Sequence, residues 1–386
     1  MITTSVGALR SALSATTLID HSRPPLPVLA GILIETTGGT TTLTAYDFDA
    51  CITVTLPGTT SDRDERFTVG HFALAKLVKA MRGPTAKLTE VPATITDHGD
   101  HVTLTLGDWT AELETETLLV DEWPTMPAQV PPDWGVDRME FARAVRAAAC
   151  AVERDDTLPV LTGIDMRSSD SDIVLQATDR YRAVSTRAHI YANLCRGREP
   201  HGIVPGRLLA KLLGKTTYPH AAIGLTADPH GEGWATVHSG ALAATLRLIP
   251  GTFPKLAPFI PRESETTVTV RRKAFAALLG GAATVRDAKG QRGATVYVRP
   301  DVDSISVAAA KTATATTVIA AEGHGRFTPI AFNARYLCDA LHTMRGDSVT
   351  LHVAPGRRVA ALVPSGAPLS LDAEHVHLIV PIQPRS

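Results

Sequence analysis

The sequence is short of several things at once. It has only four cysteines in 386 residues, and Cys51, Cys150, Cys195 and Cys338 stand apart, with neither a CxxC pair nor dense disulfide spacing. No apolar run approaches the ~20 residues of a membrane-spanning helix. The opening Met1-Ile2-Thr3-Thr4-Ser5-Val6-Gly7 lacks the basic start and apolar core of a secretory signal. Net charge is nearly absent as well, at −1 from 38 Lys+Arg against 39 Asp+Glu. These absences exclude a disulfide-stapled scaffold and a helical membrane protein. With 44% hydrophobic and 20% charged residues, the expectation is a reduced, intracellular chain in the cytoplasm.

What the sequence does have is a phrase written twice. Leu26-Pro27-Val28-Leu29-Ala30-Gly31-Ile32 returns 132 residues later as Leu158-Pro159-Val160-Leu161-Thr162-Gly163-Ile164, and Asp47 returns as Asp179. A long fixed period signals a repeated architecture. The remainder of the unit follows in register: Ala75-Lys76-Leu77 answers Ala210-Lys211-Leu212, and Glu122-Trp123-Pro124 answers Thr252-Phe253-Pro254. A diverged third copy fills the rest, with residues 273–279 matching 140–145 and residues 327–344 matching the Ala-Lys-Leu helices. Proline-rich seams follow the first copy (Pro124, Pro127, Pro131, Pro132) and the second (Pro254, Pro258, Pro261), where missing amide donors and a fixed φ make short, stiff linkers. The expected domains are residues 1–127, 134–258 and 264–386.

Within a copy the periodicity switches between helix and strand. Val6, Leu9, Leu13 and Leu18 share one helical face, as do Met139, Phe141, Val145 and Ala149 in the second copy. Runs rich in Thr, Ile and Val follow at 31–36, 40–45 and 50–56, with Gly38-Gly39 as a hairpin turn. A second helix is predicted at 72–81, 207–214 and 334–344, with hairpin strands 102–106 and 109–116 after the first of these. The fold class is α+β: three tandem domains, each of two helices packed on antiparallel sheets.

Charge is more telling by domain than in total. Residues 1–135 carry 8 Lys+Arg against 17 Asp+Glu, net −9; residues 136–261 carry 15 against 12, net +3; residues 266–386 carry 14 against 8, net +6. Opposite ends of opposite sign suit a head-to-tail contact between two copies, which closes into a ring where the rotation permits. Glu112, Glu114 and Glu116 project from one face of a period-two strand, and gatekeeper charges on a solvated edge account for them equally well. The expected contact places Trp109, Glu112 and Glu114 of one copy against Phe275, Leu278 and Leu279 of the other.

Basic residues recur on the predicted helices. Lys76, Lys79 and Arg82 lie opposite Phe72, Leu77, Val78 and Met81; Arg207, Lys211 and Lys215 repeat the stripe in the second copy, and Arg143 with Arg146 extends it. One such helix alone reads as a solvated face. Stripes at equivalent positions of repeated units point at one axis, where they would hold a polyanion through its phosphates without reading bases.

Chemistry-bearing motifs are otherwise few. Gly214-Lys215-Thr216 ends like a P-loop, but the required upstream glycine position is Leu209 and the triplet closes a helix instead of opening one. His375 and His377 share a strand face without a third ligand, so no metal is expected. The acids do not combine with a nucleophile, base and oxyanion donor; neither an enzyme nor a cofactor is expected.

Residues 23–31 (Arg23-Pro-Pro-Leu-Pro-Val-Leu-Ala-Gly31), 155–163, Ala177-Thr178-Asp179-Arg180-Tyr181-Arg182, Phe253-Pro254-Lys255 and residues 331–337 resemble the bacterial DNA polymerase III beta subunit, the sliding clamp, and most closely its actinobacterial members. The resemblance spans essentially the whole chain. It implies a three-domain protomer paired head to tail into a ring of six domains, helices inside, threaded by duplex DNA: a tether for the polymerase III alpha subunit, the clamp loader and other motif-bearing proteins. It also implies that Arg23 is a DNA-contacting loop arginine and that the basic stripes face the duplex.

The resemblance further implies a partner-peptide pocket on Leu161, Thr178, Tyr181, Arg182, Ala183, Pro254, Phe259, Leu378, Val380, Pro381 and Ile382, an apolar groove with a threonine hydroxyl and an arginine at its rim. Read without the resemblance, Leu161, Leu378 and Val380 are core. The sequence departs from the family here: the chain ends Val380-Pro381-Ile382-Gln383-Pro384-Arg385-Ser386 in place of the usual Met-Pro ending, Ala183 stands where leucine is usual, and Phe259 replaces a smaller aliphatic. Altered motif or drug preference is expected, as in an accessory or drug-insensitive second clamp. The competing reading is a monomeric decoy that binds clamp partners without encircling DNA.

Overall fold

The computed structural model describes residues 1–81, 85–115, 119–195, 197–284, 295–308 and 316–382. Arg82, Glu116 and residues 383–386, all named above, lie outside these. The contacts gather into two units: residues 1–139 with 190–248, and residues 140–189 with 249–386. The second sequence repeat therefore contributes to both.

In the first unit the helix Val6–Thr16 begins where Ser5 accepts a hydrogen bond from the Ala8 N–H, satisfying one of the orphan donors of the first turn. It buries Val6, Leu9, Ala12, Leu13 and Ala15, as its apolar period requires. Two antiparallel sheets carry the rest. One runs through Thr60–Ser61, Ile2–Ser5, Pro92–Asp97, His101–Leu106 and Trp109–Glu114, with the last strand at its edge. The other runs through Glu65–Gly70, Gly31–Thr37, Thr40–Tyr46 and Ala50–Thr55, then continues into Leu242–Arg247, Gly233–Ser239 and His220–Ala227. Leu242 pairs with Val54 and Leu246 with Ala50, so backbone ladders join the first repeat to part of the second. The Gly38-Gly39 turn forms as read, both residues at positive φ (56° and 78°), the requirement of a two-residue hairpin.

The helix predicted at 72–81 forms at His71–Ala80, but its buried stripe is His71, Leu74 and Val78. Phe72, placed on the apolar face by the sequence pattern, is 77% exposed. His71, Leu74 and Val78 recur at i, i+3 and i+7 as one stripe, and Phe72 lies a rotation of about 100° from His71, outside it. Met139, also read as an inward residue, is 66% exposed, because two residues of helix turn it about 200° from Phe141; Phe141, Ala142 and Val145 carry that face.

The second unit is built around another antiparallel run: Gly163–Ser169, Asp172–Thr178, the 182–189 part of Arg182–Asn193, His375–Ile379, Ala360–Pro364, Ser348–Val353 and Thr266–Arg271. Here Arg182 pairs with Ile379 and Ala183 with Leu378. Helices Arg272–Thr284 and Ala334–Thr343 cover a core that includes Phe275, Leu279, Phe332, Leu337 and Leu341. Among the described residues no helix is long and apolar enough to cross a membrane.

Candidate functional site

In the second unit the ladder between Arg182–Asn193 and His375–Ile379 floors a cavity of about 300 Å³. Leu161, Ala183, Leu378 and Val380 give it apolar walls, Pro254 and Phe259 close one side, and Thr178 is its hydroxyl-bearing member. Phe259 is 55% exposed at the mouth. Seven residues proposed from the sequence therefore line one space, together with Arg182. Tyr181, Pro381 and Ile382, proposed alongside them, do not. Tyr181 is exposed beside the cavity and its carbonyl accepts from the Val380 N–H, Pro381 is buried, and the Ile382 N–H donates to Ala331.

Arg182 is not at the rim. Its side chain is only 6% exposed; Nε donates to Asp179 Oδ2 at 3.0 Å, Nη1 to Asp339 Oδ2 at 2.7 Å, and the guanidinium lies 4.3 Å from the Tyr336 ring centroid. A buried guanidinium is costly unless paired, and two carboxylates hold it. Burial works against the charge, yet the hydrogen bond to Asp339 and the surrounding negative groups keep the Arg182 pKa above its ordinary value. The guanidinium is thus a fixed support beneath the cavity, with Nε and Nη1 committed to these carboxylates. Burial also pushes the nearby Cys150 thiol up to about 12, so it stays protonated.

The exposed arginine is Arg180, which sequence reasoning passed over inside the quoted Ala177–Arg182 motif. It lines the cavity, its side chain is 54% exposed, and Nη2 donates to Glu153 Oε2 at 3.2 Å. Its φ is +74°, in the left-handed region. Asp179 fixes this turn: its Oδ1 accepts from the Tyr181 and Arg182 N–H groups at 3.1 and 3.0 Å. A non-glycine residue there costs about 1–2 kcal/mol, while a half-exposed ion pair returns roughly 0.2–1 kcal/mol. Leu256, Val359 and Ile379 complete the lining and were also missed. Leu256 lies two residues beyond the quoted Pro254, whereas nothing local marks Val359, which the ladder of Ala360–Pro364 against His375–Ile379 brings in.

The basic helices form a second candidate surface. Lys76 and Lys79 are exposed on His71–Ala80, Arg207 and Lys211 on Gly206–Leu213, Arg146 on Arg138–Ala149, and Arg23 on its loop. In the first unit a cleft of about 560 Å³ brings Lys79 and Lys215 together with Arg10, Ser11 and Ser14; Lys215 Nζ donates to Ser14 Oγ at 2.8 Å. Arg10 was missed because it lies on the outward side of an apolar helix, with no basic neighbour in sequence. Arg143 departs from the expected stripe. Its side chain is 18% exposed and reaches Glu374 Oε1 at 3.4 Å, within the second unit.

Of the residues expected at a contact between copies, Trp109, Glu112 and Glu114 are exposed on the edge strand. Phe275 and Leu279 are fully buried and Leu278 is 9% exposed in the core of the second unit, so Phe275 and Leu279 cannot present a surface. The sequence pattern found an apolar helix face and could not say whether it faced its own sheet or a partner. His375 and His377 are likewise inward, ring centroids 4.7 Å apart, each against a threonine hydroxyl (Thr186 at 3.2 Å, Thr343 at 3.0 Å). Among the described residues no cluster of three or more potential metal ligands occurs.

Comparison with known proteins bears on the whole chain. Residues 2–127 match the N-terminal domain of the DNA polymerase III beta subunit, residues 135–255 its central domain and residues 258–381 its C-terminal domain. The beta sliding clamp of Streptomyces coelicolor is 28% identical over 370 residues, covering 94% of this chain and 93% of that one. The beta sliding clamp homolog GriR of Streptomyces muensis is 26% identical over 365 residues, with 94% and 93% covered. The crystal structure of the Bacillus subtilis DNA polymerase sliding clamp shares the fold, with a TM-score of 0.84 at 20% identity over 100% of this chain and 99% of that one. With three clamp domains matched in order along its length, the chain belongs to the DNA polymerase III beta subunit family, the beta sliding clamps, which are non-catalytic processivity factors.

Proposed function

We propose that this protein works as a DNA sliding clamp in the cytoplasm: two copies join head to tail around duplex DNA, and the cavity of the second unit docks short motifs from the polymerase III alpha subunit, the clamp loader and other partners. The observation that carries the reading is the open, mostly apolar cavity on the Leu161, Thr178, Ala183 and Leu378 positions, in a chain that matches clamp domains from end to end. An apolar cleft of a few hundred Å³ with few polar groups suits a short hydrophobic peptide segment.

Domain boundaries at 1–127, 134–258 and 264–386 fit this reading. Arg23, Lys76, Lys79, Arg146, Arg207, Lys211 and Lys215, with Arg10, would meet phosphates, giving sequence-independent and salt-sensitive contact. Trp109, Glu112 and Glu114 would supply the acidic side of the contact between copies. Ala183 and Phe259 reshape the docking groove, which supports a motif preference of its own, as expected of an accessory clamp.

The test is topological. Light scattering should give roughly twice the 41.0 kDa of the chain, and protein loaded on nicked circular DNA should be retained until the circle is linearised. A strict monomer at micromolar concentration that still binds motif peptides would instead identify the decoy. Retention that survives linearisation would mean side-on binding and would overturn encirclement.

A further inference from the structure

We infer that Arg180 is a specificity-determining residue of the docking cavity, selecting peptides that carry a carboxylate beside their apolar anchor; the inference rests on the docking role proposed above. The cavity has two arginines and they are not equivalent. Arg182 has its Nε and Nη1 donors committed to Asp179 and Asp339 beneath the floor. Arg180 stands half-exposed at the edge, with a planar fork of five N–H donors, the Tyr181 ring centroid 6.0 Å from the guanidinium and, among the described residues, one carboxylate, Glu153, at 3.2 Å. A second carboxylate arriving with a peptide can be met by the same fork, in the bidentate manner guanidinium favours.

The equivalent turn in the first unit shows what the position does when no cavity is served. There Phe48 occupies the left-handed site at φ +73°, and its ring packs 5.2 Å from Tyr46 against a buried cluster. Asp47 holds that turn as Asp179 holds this one, accepting from the Asp49 and Ala50 N–H groups. Phe48 offsets the backbone strain by packing. Arg180 has no such burial; its half-exposed pair with Glu153 and its approach to the Tyr181 ring, 6.0 Å to the centroid, are weak returns.

Acidic groups limit what can bind. Glu153 shares the guanidinium, with Glu153 Oε1 itself accepting from the Arg154 and Asp155 N–H groups. Asp155 and Asp156 lie exposed on the same loop, and Asp179 sits next to Arg180 in the chain. These charges disfavour a polyanionic ligand. They favour a mainly apolar segment with one Asp or Glu placed to reach Arg180.

The experiment uses the full chain and two synthetic peptides with identical leucine and phenylalanine anchors, differing by Asp against Asn at the neighbouring residue. Fluorescence anisotropy at about 0.1 M salt, where close charge pairs are only partly screened, should favour the Asp peptide by about fivefold. Arg180→Gly should bring the ratio to near one by weakening the Asp peptide more than the Asn peptide, and its thermal transition should not fall because glycine accepts the turn. Arg180→Lys should keep part of the preference, and Glu153→Gln should raise it. An unchanged ratio in Arg180→Gly, or no preference in the native chain, overturns the inference and leaves docking intact. If neither peptide binds the native chain, the docking role falls and this inference with it.

Discussion

The first and second repeats place the same turn and the same Leu-Pro-Val-Leu phrase at the same spot, and one makes a closed core where the other makes an open cavity. In the first unit Leu29, Tyr46, Cys51 and Trp123 are buried together with Val28 and Leu33, with Phe48 and Met126 packed against them. Counting 132 residues on, Leu29 becomes Leu161, Tyr46 becomes Thr178, Phe48 becomes Arg180 and Cys51 becomes Ala183. Those four residues line the cavity of the second unit. Replacing a phenol by a hydroxyethyl group and a thiol by a methyl removes enough volume to open a site, since interiors are otherwise close-packed. The lesson is that a cavity can arise by subtraction from a duplicated core while the aspartate-held turn beside it is kept.

The comparison breaks most visibly at Trp123. Its replacement by alanine should destabilise the first unit by about 3–5 kcal/mol, the cost of a large buried side chain and its cavity. All four tryptophans (Trp109, Trp123, Trp134 and Trp234) lie in the first unit, so the remaining three report its unfolding in denaturant. A loss below 1 kcal/mol would mean that this cluster is no core.

Acid separates the units next. Burial pushes His71 in the first unit down to about 3, and in the second it pushes His375 down to about 3 and holds His377 well below its ordinary value. A folded pKa below the unfolded value means that the unfolded chain binds the proton. Stability is therefore complete above about pH 6.5 and falls as pH drops toward 3. At pH 5 each such histidine costs about 2 kcal/mol, so the second unit, with two of them, should open first. Hydrogen exchange resolved by peptide segment checks the order; equal sensitivity, or a more labile first unit, would contradict it.

A smaller effect is expected from filling the cavity with the residue of the other repeat. Thr178→Tyr should weaken motif-peptide binding roughly tenfold or more, because the ring occupies the peptide's volume. The Thr178 hydroxyl also donates to the Arg182 carbonyl at 2.8 Å, so the melting temperature should fall modestly as well. Undiminished binding would place the peptide elsewhere. The smallest effect on stability belongs to Phe259→Ala, within about 0.5 kcal/mol for an exposed side chain. Its effect on affinity should nonetheless be several-fold, and a variant altered in neither respect would remove Phe259 from the site.

Much of this was legible in the sequence. The repeat carries the alternation of helices and strands, and the family resemblance carries the Leu161, Thr178, Ala183 and Leu378 positions, which by residue type alone read partly as core. The rest depended on direction, which residue type does not encode. Arg182 and Arg180 are two residues apart, yet a left-handed turn sends one guanidinium under the floor and the other to solvent. Phe72 and His71 are neighbours in the chain, yet the helix sets them about 100° apart, one outward and one inward. Phe275 and Leu279 read equally well as core or as contact surface, because an apolar helix face is the same string of letters in either case.

The main-chain ladder of Arg182–Asn193 against His375–Ile379 carries one more consequence. The base of the cavity is peptide backbone locked in register, so substitutions at Thr178, Arg180, Ala183 or Phe259 would change the shape and charge of the recess while that ladder keeps its place. Point changes in such a recess can thus accumulate while the architecture stays still, a freedom that a fold held by its main chain leaves to its side chains.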